Sequence, residues 1–503
     1  MSLRQAMARG AVWTILFRLI DRTLGLISTL ILAHLLMPTD FGLVAMAMSL
    51  SAMLQLLTYF SFDIALLRER ETDPAHFDAV WTLNVIAGCV IAILMLALAV
   101  PAAHFYHAPR LTDVILALAA APFIQGFENV GIITFRKEMR FDRDFRFMFS
   151  RRIIKFAVAV GIAVWLRTYW ALVLGILAGP AAGVIISYRM HSYRPRFSLA
   201  SLGDLLHFTK WLMLQNVLTF LKQHTSDFVV GRLAGPGSLG LFSVAAEIAD
   251  LPGTELVQPI NRAVMPAYMK LAHDLPALRR EYLSVMSVVA LLAIPAVAGV
   301  ALCAPFIVIL FLGPKWLPAA GVLEILAFYG ITRVVQSNAY SAYLALGKPH
   351  YIVGISSVNV VALIGLLIAL TMRYGLHGAA WAYLLASAIT LPIDFYFIIR
   401  FMGVRVADYV SNLWRPICSA TIMYFTVRSV TASVPSNLDL LSPAHAAYSL
   451  VTYVVIGAFT YSIADVFLWL CVGRPVEGAE TLLIGRVRAL LALRFGSRHA
   501  QVK

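Results

Sequence analysis

Charge is scarce in this sequence. Asp, Glu, Lys and Arg supply 13% of its 503 residues, about half the usual share in soluble domains. A chain this long with so few charges cannot clothe a water-facing surface, which excludes a sizeable soluble domain. Cysteine is scarcer still, at four residues. Cys89, Cys303, Cys418 and Cys471 lie apart inside apolar runs, with neither a CxxC nor a metal-ligand spacing, so they read as small core residues. No G-x-x-x-x-G-K-[ST] stretch is present to cradle a nucleotide phosphate, and neither H-E-x-x-H nor G-x-S-x-G occurs. His104 and His107 make an incomplete metal site and read as surface residues. Arg18, Asp21 and Arg22 interrupt what would be the apolar core of a cleaved signal peptide. The expectation is a protein without metal, cofactor or catalytic residue, and not an enzyme.

What the sequence has in abundance is apolar length. Hydrophobic residues make up 60% of the chain, in recurring runs of about 20, each enough to cross a bilayer as a helix. The runs predict helices near 10–35, 41–62, 79–101, 111–135, 148–167, 169–189, 207–233, 238–261, 281–302, 319–345, 351–372, 376–400, 415–434 and 445–471. The fold class is therefore an all-α integral membrane protein of about 14 transmembrane helices. Pro180 and Pro392 fall mid-span in the sixth and twelfth, where neighbours must re-satisfy the freed carbonyl. Gly175, Gly179 and Gly183 form a small-xxx-small face, which predicts close helix packing.

The chain contains residues 13–47 twice. Trp13, Leu16, Ser28, Leu35, Pro38, Gly42, Leu43 and Ala47 recur 198 positions later as Trp211, Leu214, Ser226, Leu233, Pro236, Gly240, Leu241 and Ala245. Shared apolar composition does not align Trp, Pro and Gly in one register, so the copies read as the openings of two related halves. An even number of helices per half makes the repeats parallel, related by an axis along the membrane normal. The expected organisation is a six-helix lobe over 1–200, a second over 201–401, two extra helices over 402–472 and a basic tail over 473–503.

With the N-terminus inside, 30 of the 40 Lys and Arg fall in cytoplasmic segments and five (Arg110, Arg167, Arg232, Lys315, Arg373) outside. That asymmetry places both termini in the cytoplasm. The net charge of +14 then reflects topology, and no nucleic-acid partner is implied. The densest basic stretch, 136–155, interleaves Arg and Lys with Phe141, Phe145, Phe147 and Phe149. It reads as an interfacial segment holding anionic membrane lipids, as does the tail from Ala479 to Arg498.

Charges inside the spans carry the functional signal, because each costs at least ~2.5 kcal/mol unless it faces water or a partner. Arg18, Asp21, Arg22 and Gly25 share a face of the first helix at i, i+3, i+4 and i+7. Gln215, Thr219, Lys222 and Ser226 repeat that stripe on the seventh, and Arg333 lies mid-span in the tenth. Equivalent stripes on the helices opening two halves predict a wet, basic cavity between the lobes, with Arg18, Arg22, Lys222 and Arg333 as candidate substrate-binding cations. Structural pairing is the competing account, since Asp21 is within reach of Arg18 and Arg22. Among the acids, Asp21, Asp227 and Glu247 are candidates for ion coupling or structural pairing.

The stretch Ala33-His34-Leu35-Leu36-Met37-Pro38-Thr39-Asp40-Phe41-Gly42-Leu43-Val44-Ala45-Met46-Ala47 resembles the first-helix exit motif of Wzx/WzxC-type polysaccharide transporters. Gly240-Leu241-Phe242-Ser243-Val244-Ala245, the stretch from Pro259 to Pro266 and Gly313-Pro314-Lys315-Trp316 are similar to further motifs of that family. Position 34 departs from the pattern, His standing where the family usually has Arg. The resemblance covers 1 to about 472 and implies the multidrug/oligosaccharidyl-lipid/polysaccharide superfamily, with two six-helix lobes in a V. It implies a flippase that moves an undecaprenyl-pyrophosphate-linked oligosaccharide repeat unit from the cytoplasmic to the periplasmic leaflet of the bacterial inner membrane by alternating access, serving exopolysaccharide, capsule or O-antigen synthesis. It also implies a polysaccharide polymerase and a chain-length regulator as partners. Two alternatives stand beside it: a cation or drug antiporter of the same superfamily, which the acids favour and the basic stripe opposes, and a membrane-embedded sugar polymerase or ligase, which would want a long outer loop.

Overall fold

The computed structural model describes residues 3–58, 74–198, 210–431, 443–473 and 480–481; most of the expected basic tail and the side chain of Gln215 lie outside these. No strand occurs among the described residues. The chain divides into two compact units, one of residues 1–243 with 311–315, the other of residues 244–310 with 316–503.

The first unit begins with α1 (Leu3–Leu35), α2 (Pro38–Thr58) and α3 (Pro74–Tyr106). The Met37 amide donates to the Asp40 carboxylate at 2.9 Å, so the loop residues between α1 and α2 are closed by the acid in the first turn of α2. The single helix expected over 111–135 is instead α4 (Leu111–Leu118), α5 (Ala120–Gly126), a 3₁₀ turn (Val130–Ile132) and α6 (Ile133–Lys137), bent by 62° at the break after Gly126. Asn129 accounts for the bend. Its fully buried side chain accepts from Gly131 N (2.9 Å) and donates to Tyr193 O (2.7 Å), and its amide donates to Ser187 Oγ (3.1 Å). A residue that satisfies loop backbone with its own amide group offers an alternative to helix continuation.

α7 (Phe141–Leu166) and α8 (Trp170–Met190) follow. They join through Arg167, whose φ of 50° caps α7 in the left-handed region. Close helix packing holds at Gly175, while Gly179 and Gly183 face the Lys155, Glu128 and Arg151 side chains. A Cβ on Gly175 would lie 2.6 Å from Ala159 Cβ, so α7 and α8 meet there without side chains between them. Leu32, Leu36, Ala159, Ala163 and Ala171 form the core that ties α1 to this pair. α9 (Lys210–Ala249) is a double-length element broken at Gly235, where φ is 81°.

After Met190 the chain runs extended beneath α3. Tyr193 Oη donates to the Asp78 carboxylate, and Arg196 N donates to the same Oδ1 at 2.7 Å. Ser198 N donates to Thr82 Oγ1 at 3.0 Å, and the Trp81 and Phe197 rings lie 4.8 Å apart. His191 holds the near end of this strap. Its Nδ1 accepts from Tyr193 N (3.1 Å), leaving Nε2 to face Thr134 Oγ1 (3.2 Å). Burial lowers the His191 pKa below the usual imidazole value, and Arg143 and Arg194 add to that effect against Glu138. The folded state therefore favours neutral imidazole, whose contribution is complete above the unfolded pKa of about 6.5 and is lost as pH falls through the lowered folded value. Acidification is expected to lower the protection factor of the Tyr193 amide, its exchange rate taken relative to the intrinsic rate at each pH. His191→Gln should abolish that pH dependence; a protection factor that is flat from pH 7.5 to 5 would refute this account.

The second unit holds a π-helical turn (Gly253–Val257), α10 (Gln258–Leu271), α11 (Leu275–Ile307), α12 (Ala319–Ala345), α13 (Pro349–Met402, broken at Gly375 with φ 58°), α14 (Val406–Thr431) and α15 (Pro443–Cys471). Its core is built around tyrosines. Tyr268 Oη donates to Asn338 Oδ1 (2.9 Å), Asn338 Nδ2 to Tyr282 O (3.2 Å), and the Tyr282 and Tyr409 hydroxyls pair at 2.9 Å. Tyr343 Oη donates to Asp394 Oδ1 at 2.8 Å. Each of these tyrosine hydroxyls is matched, as low-dielectric surroundings demand. Arg415, 3% exposed, holds Glu480 Oε1 at 2.6 Å and so ties the chain after α15 to α14.

Eight helical stretches among the described residues are long and apolar enough to cross a membrane, two of them of 54 and 56 residues. Two of the thiols expected in the core, Cys418 and Cys471, are exposed; Cys303 is buried and Cys89 half-buried. Their helices also expose Phe425, Val455 and Phe459, and a thiol is apolar enough to share such a lipid-facing surface.

Candidate functional site

Seven charged side chains of the first unit line one cavity of about 540 Å³. α1 contributes Asp21, α2 Gln55, α5 Gln125 and the loop after it Glu128; α6 contributes Arg136, and α7 contributes Asp144, Arg151, Arg152 and Lys155. Gly179 and Pro180 of α8 close the wall.

The local sequence explains why these groups point inward. Met148, Arg151, Arg152 and Lys155 are spaced i, i+3, i+4 and i+7, one face of α7, and all four line the cavity. Small residues opposite make room for their long side chains. A Cβ on Gly25 would lie 2.8 Å from Arg152 Nη2, and one on Gly183 2.8 Å from Glu128 Oε2. The Asn129 cap fixes the loop that carries Glu128.

Three cations are pre-positioned by carboxylates. Arg152 Nε lies 2.9 Å from Asp21 Oδ1 and its Nη2 donates to Asp21 O at 3.1 Å. Arg151 Nη1 lies 3.0 Å from Glu128 Oε2, and Arg136 Nε 3.1 Å from Asp144 Oδ1. Lys155 is the surplus charge. Such a set can exchange carboxylate for phosphate oxygens, with Arg forks binding bidentately and Lys acting as a point charge.

A second cavity of about 450 Å³ shares Phe17, Asp21, Arg136, Asp144 and Met148 with the first, and adds Trp13, Arg18 and Phe145. The Trp13 and Phe145 rings lie 4.8 Å apart, with Phe149 stacked beyond at 5.5 Å from Phe145. The path is basic at one end and aromatic at the other.

The sequence candidates distribute as follows. Arg18 is exposed and lines the second cavity; Asp21 lines both. Arg22 is half-buried on α1, Lys222 half-buried on α9, and neither lines these cavities. Asp227 Oδ2 lies 2.8 Å from His224 Nδ1. Glu247 is half-buried near the end of α9, in the second unit. Arg333 is paired with Asp250 and stands over the Tyr329 ring at 5.7 Å, in that same unit. Sequence reasoning left Glu128 among the acids at span ends and read Arg151, Arg152 and Lys155 as part of the interfacial stretch 136–155, so none of the four was a candidate site residue. The signal for them was the i, i+3, i+4, i+7 spacing at the mouth of a predicted span.

A polytopic helical protein with a charged chamber of about 540 Å³ inside one unit has the construction of a membrane transporter. Known proteins agree. The model of the polysaccharide biosynthesis protein family matches residues 31–321, and the chain belongs to that family. Its relatives include the lipopolysaccharide biosynthesis protein WzxC of Escherichia coli, 25% identical over 83% of this chain and 86% of that one. The succinoglycan biosynthesis transport protein ExoT of Rhizobium meliloti is 21% identical over 91% and 92%. Among solved structures, the lipid II flippase MurJ in an inward closed conformation superposes with a TM-score of 0.70 at 12% identity, over 92% of this chain and 99% of that one. At that identity the likeness is one of fold. The expected place among Wzx-type polysaccharide transporters is thereby borne out.

Proposed function

We propose that the protein moves an undecaprenyl-pyrophosphate-linked oligosaccharide repeat unit from the cytoplasmic to the periplasmic leaflet of the bacterial inner membrane. The observation that carries this reading is the first-unit chamber, where three paired arginines and one surplus lysine line about 540 Å³. A pyrophosphate–sugar head is anionic and hydrated, and ~30 Å of hydrocarbon bars its way. The relatives named for lipopolysaccharide and succinoglycan biosynthesis supply the context.

In this reading both termini are cytoplasmic and fourteen spans form two parallel six-helix repeats plus α14 and α15. The breaks at Gly235 and Gly375 divide the two longest helices into pairs of spans. Arg151, Arg152 and Lys155 take the pyrophosphate, Arg18 and the ring cluster face the sugars, and Arg22, Lys222 and Arg333 contribute charge along the route. Asp21 pairs with Arg152; Asp227 and Glu247 are candidates for ion coupling. Alternating access comes from the two repeats rocking about the central site. The chamber's surplus of positive charge favours an anionic cargo over the cation or drug alternative.

Deleting the protein tests the reading. A lipid-pyrophosphate-linked repeat unit is expected to accumulate facing the cytoplasm while surface polymer falls to background. Undiminished polymer, or accumulation of a precursor that lacks the pyrophosphate lipid, would overturn it.

A further inference from the structure

The last two helices share a buried charge cluster that the transport chamber does not use. Arg415 of α14, Asp465 of α15 and Glu480 beyond the end of α15 are 3%, 5% and 6% exposed. Arg415 lies nine residues beyond the start of α14 and Asp465 six before the end of α15, about 13 and 9 Å along the helices. Ser419, fully buried one turn on from Arg415, stands beside Asp465. Arg415 and Glu480 are the charged groups that act on Asp465. The third helix packed there, α11, is apolar where it meets α15. Its Leu291 and Ile294 pack with Tyr461, one turn before Asp465, and the Tyr461 hydroxyl donates to Leu291 O at 2.9 Å.

The cluster does not balance. One guanidinium faces two carboxylates, and its Nη1 is committed to Glu480 Oε1 at 2.6 Å. Asp465 Oδ1 and Glu480 Oε2 are buried with no hydrogen-bond partner among the described residues. With both acids ionised, the set would hold one uncompensated negative charge away from water, at the high cost that buried and membrane-embedded charges carry. A metal cation would have to settle beside the Arg415 guanidinium, which repels it. A proton joins an oxygen already present and needs no room.

We propose that Arg415, Ser419, Asp465 and Glu480 form a proton-binding site, with the proton carried by Asp465 and the chain at Glu480 released when it leaves. Binding makes one O–H bond, with the proton drawn from water, and leaves an Arg415–Glu480 ion pair beside a neutral acid. On release the guanidinium can balance only one carboxylate. Asp465 is built into α15, whereas Glu480 lies past the helix end. Glu480 is therefore the acid that departs to water, while Arg415 turns to Asp465 and the α14–α15 packing stays intact. The site is a proton-operated latch between α14 and the chain that follows α15. Neither the latch nor its test depends on the cargo or on which way the protein faces.

The test uses full-length protein in lipid nanodiscs, its four native cysteines replaced by serine, with Thr481→Cys carrying a nitroxide. At pH 5 the label is expected to be held, and by pH 9 its contact with a water-soluble relaxation agent is expected to rise several-fold. Asp465→Asn keeps the shape and charge of the protonated acid, so it should hold the label at both values. A spectrum that is flat from pH 5 to 9, or a pH dependence that survives in Asp465→Asn, overturns the proposal.

Infrared difference spectra of the parent protein give a reading that needs no variant. The carbonyl band of a buried, protonated carboxyl group is expected to vanish over the same range in which the label comes free. A label that moves with no such loss, or that follows sodium concentration at fixed pH, would equally refute a proton site.

Discussion

Replacing Arg152 and Lys155 together by alanine is expected to end polymer export while leaving the protein in the membrane at its normal level. Arg152 donates through Nε and Nη2 toward Asp21, so its fork is already aimed when cargo arrives. A hydrogen bond to a charged group contributes roughly 1.5–3 kcal/mol. Losing two such donors should weaken binding of a pyrophosphate-headed lipid by two orders of magnitude or more. Full-length protein in detergent, titrated with polyprenyl pyrophosphate, gives the affinity; surface polymer in the deleted strain gives the function. Asp21→Asn should behave oppositely in the first assay, because it removes the carboxylate that phosphate must displace and leaves Arg152 free to bind. A double alanine variant that binds and exports as the parent does would remove the head group from this chamber.

The membrane fold was legible because hydrophobic length is a strong signal and fourteen apolar runs were visible. The places where reading failed are those where backbone conformation interrupts an apolar run. Between residues 111 and 135 nothing in hydropathy marks the 62° bend; the determinant is one buried asparagine, Asn129, whose side chain satisfies two backbone partners while its own amide donates to the Ser187 hydroxyl. The duplicated motif was plain in sequence, yet the contact between its copies, Gly42 against Pro236 and Gly240 against Pro38, depends on where distant helices are brought, which no local pattern encodes.

The site was half legible for a related reason. Arg18 and Asp21 stood out as charges within an apolar helix, and they do line a cavity. Arg151, Arg152 and Lys155 were hidden by their neighbours. Five further basic residues precede them, so the stretch 136–155 read as one interfacial surface. α7 begins at Phe141 rather than near 148, which carries those three residues into the helical face turned toward α1 and α8. Charge density marked the surface part of the segment, and periodicity alone marked the inner part.

The Arg333–Asp250 pair carries the other large expectation. Both side chains are about two-fifths exposed, 39% and 44%, so the pair borders open space instead of dry packing. Removing one partner strands a charge, at a cost of about 3–5 kcal/mol when such a pair is buried and less here, where water reaches it. Arg333→Leu and Asp250→Leu should each lower the amount of folded protein several-fold. The double variant Arg333→Leu with Asp250→Leu should recover that amount, since leucine is compatible with a span and no unpaired charge remains. Recovery of protein without recovery of export is the expected pattern, because Arg333 over Tyr329 offers the second unit a cation and a ring for a charged sugar to pass. Immunoblots of membranes against surface polymer separate the two effects. Full export from the double variant would reduce the pair to a pin between α9 and α12, and would leave the chamber of the first unit to carry the cargo alone.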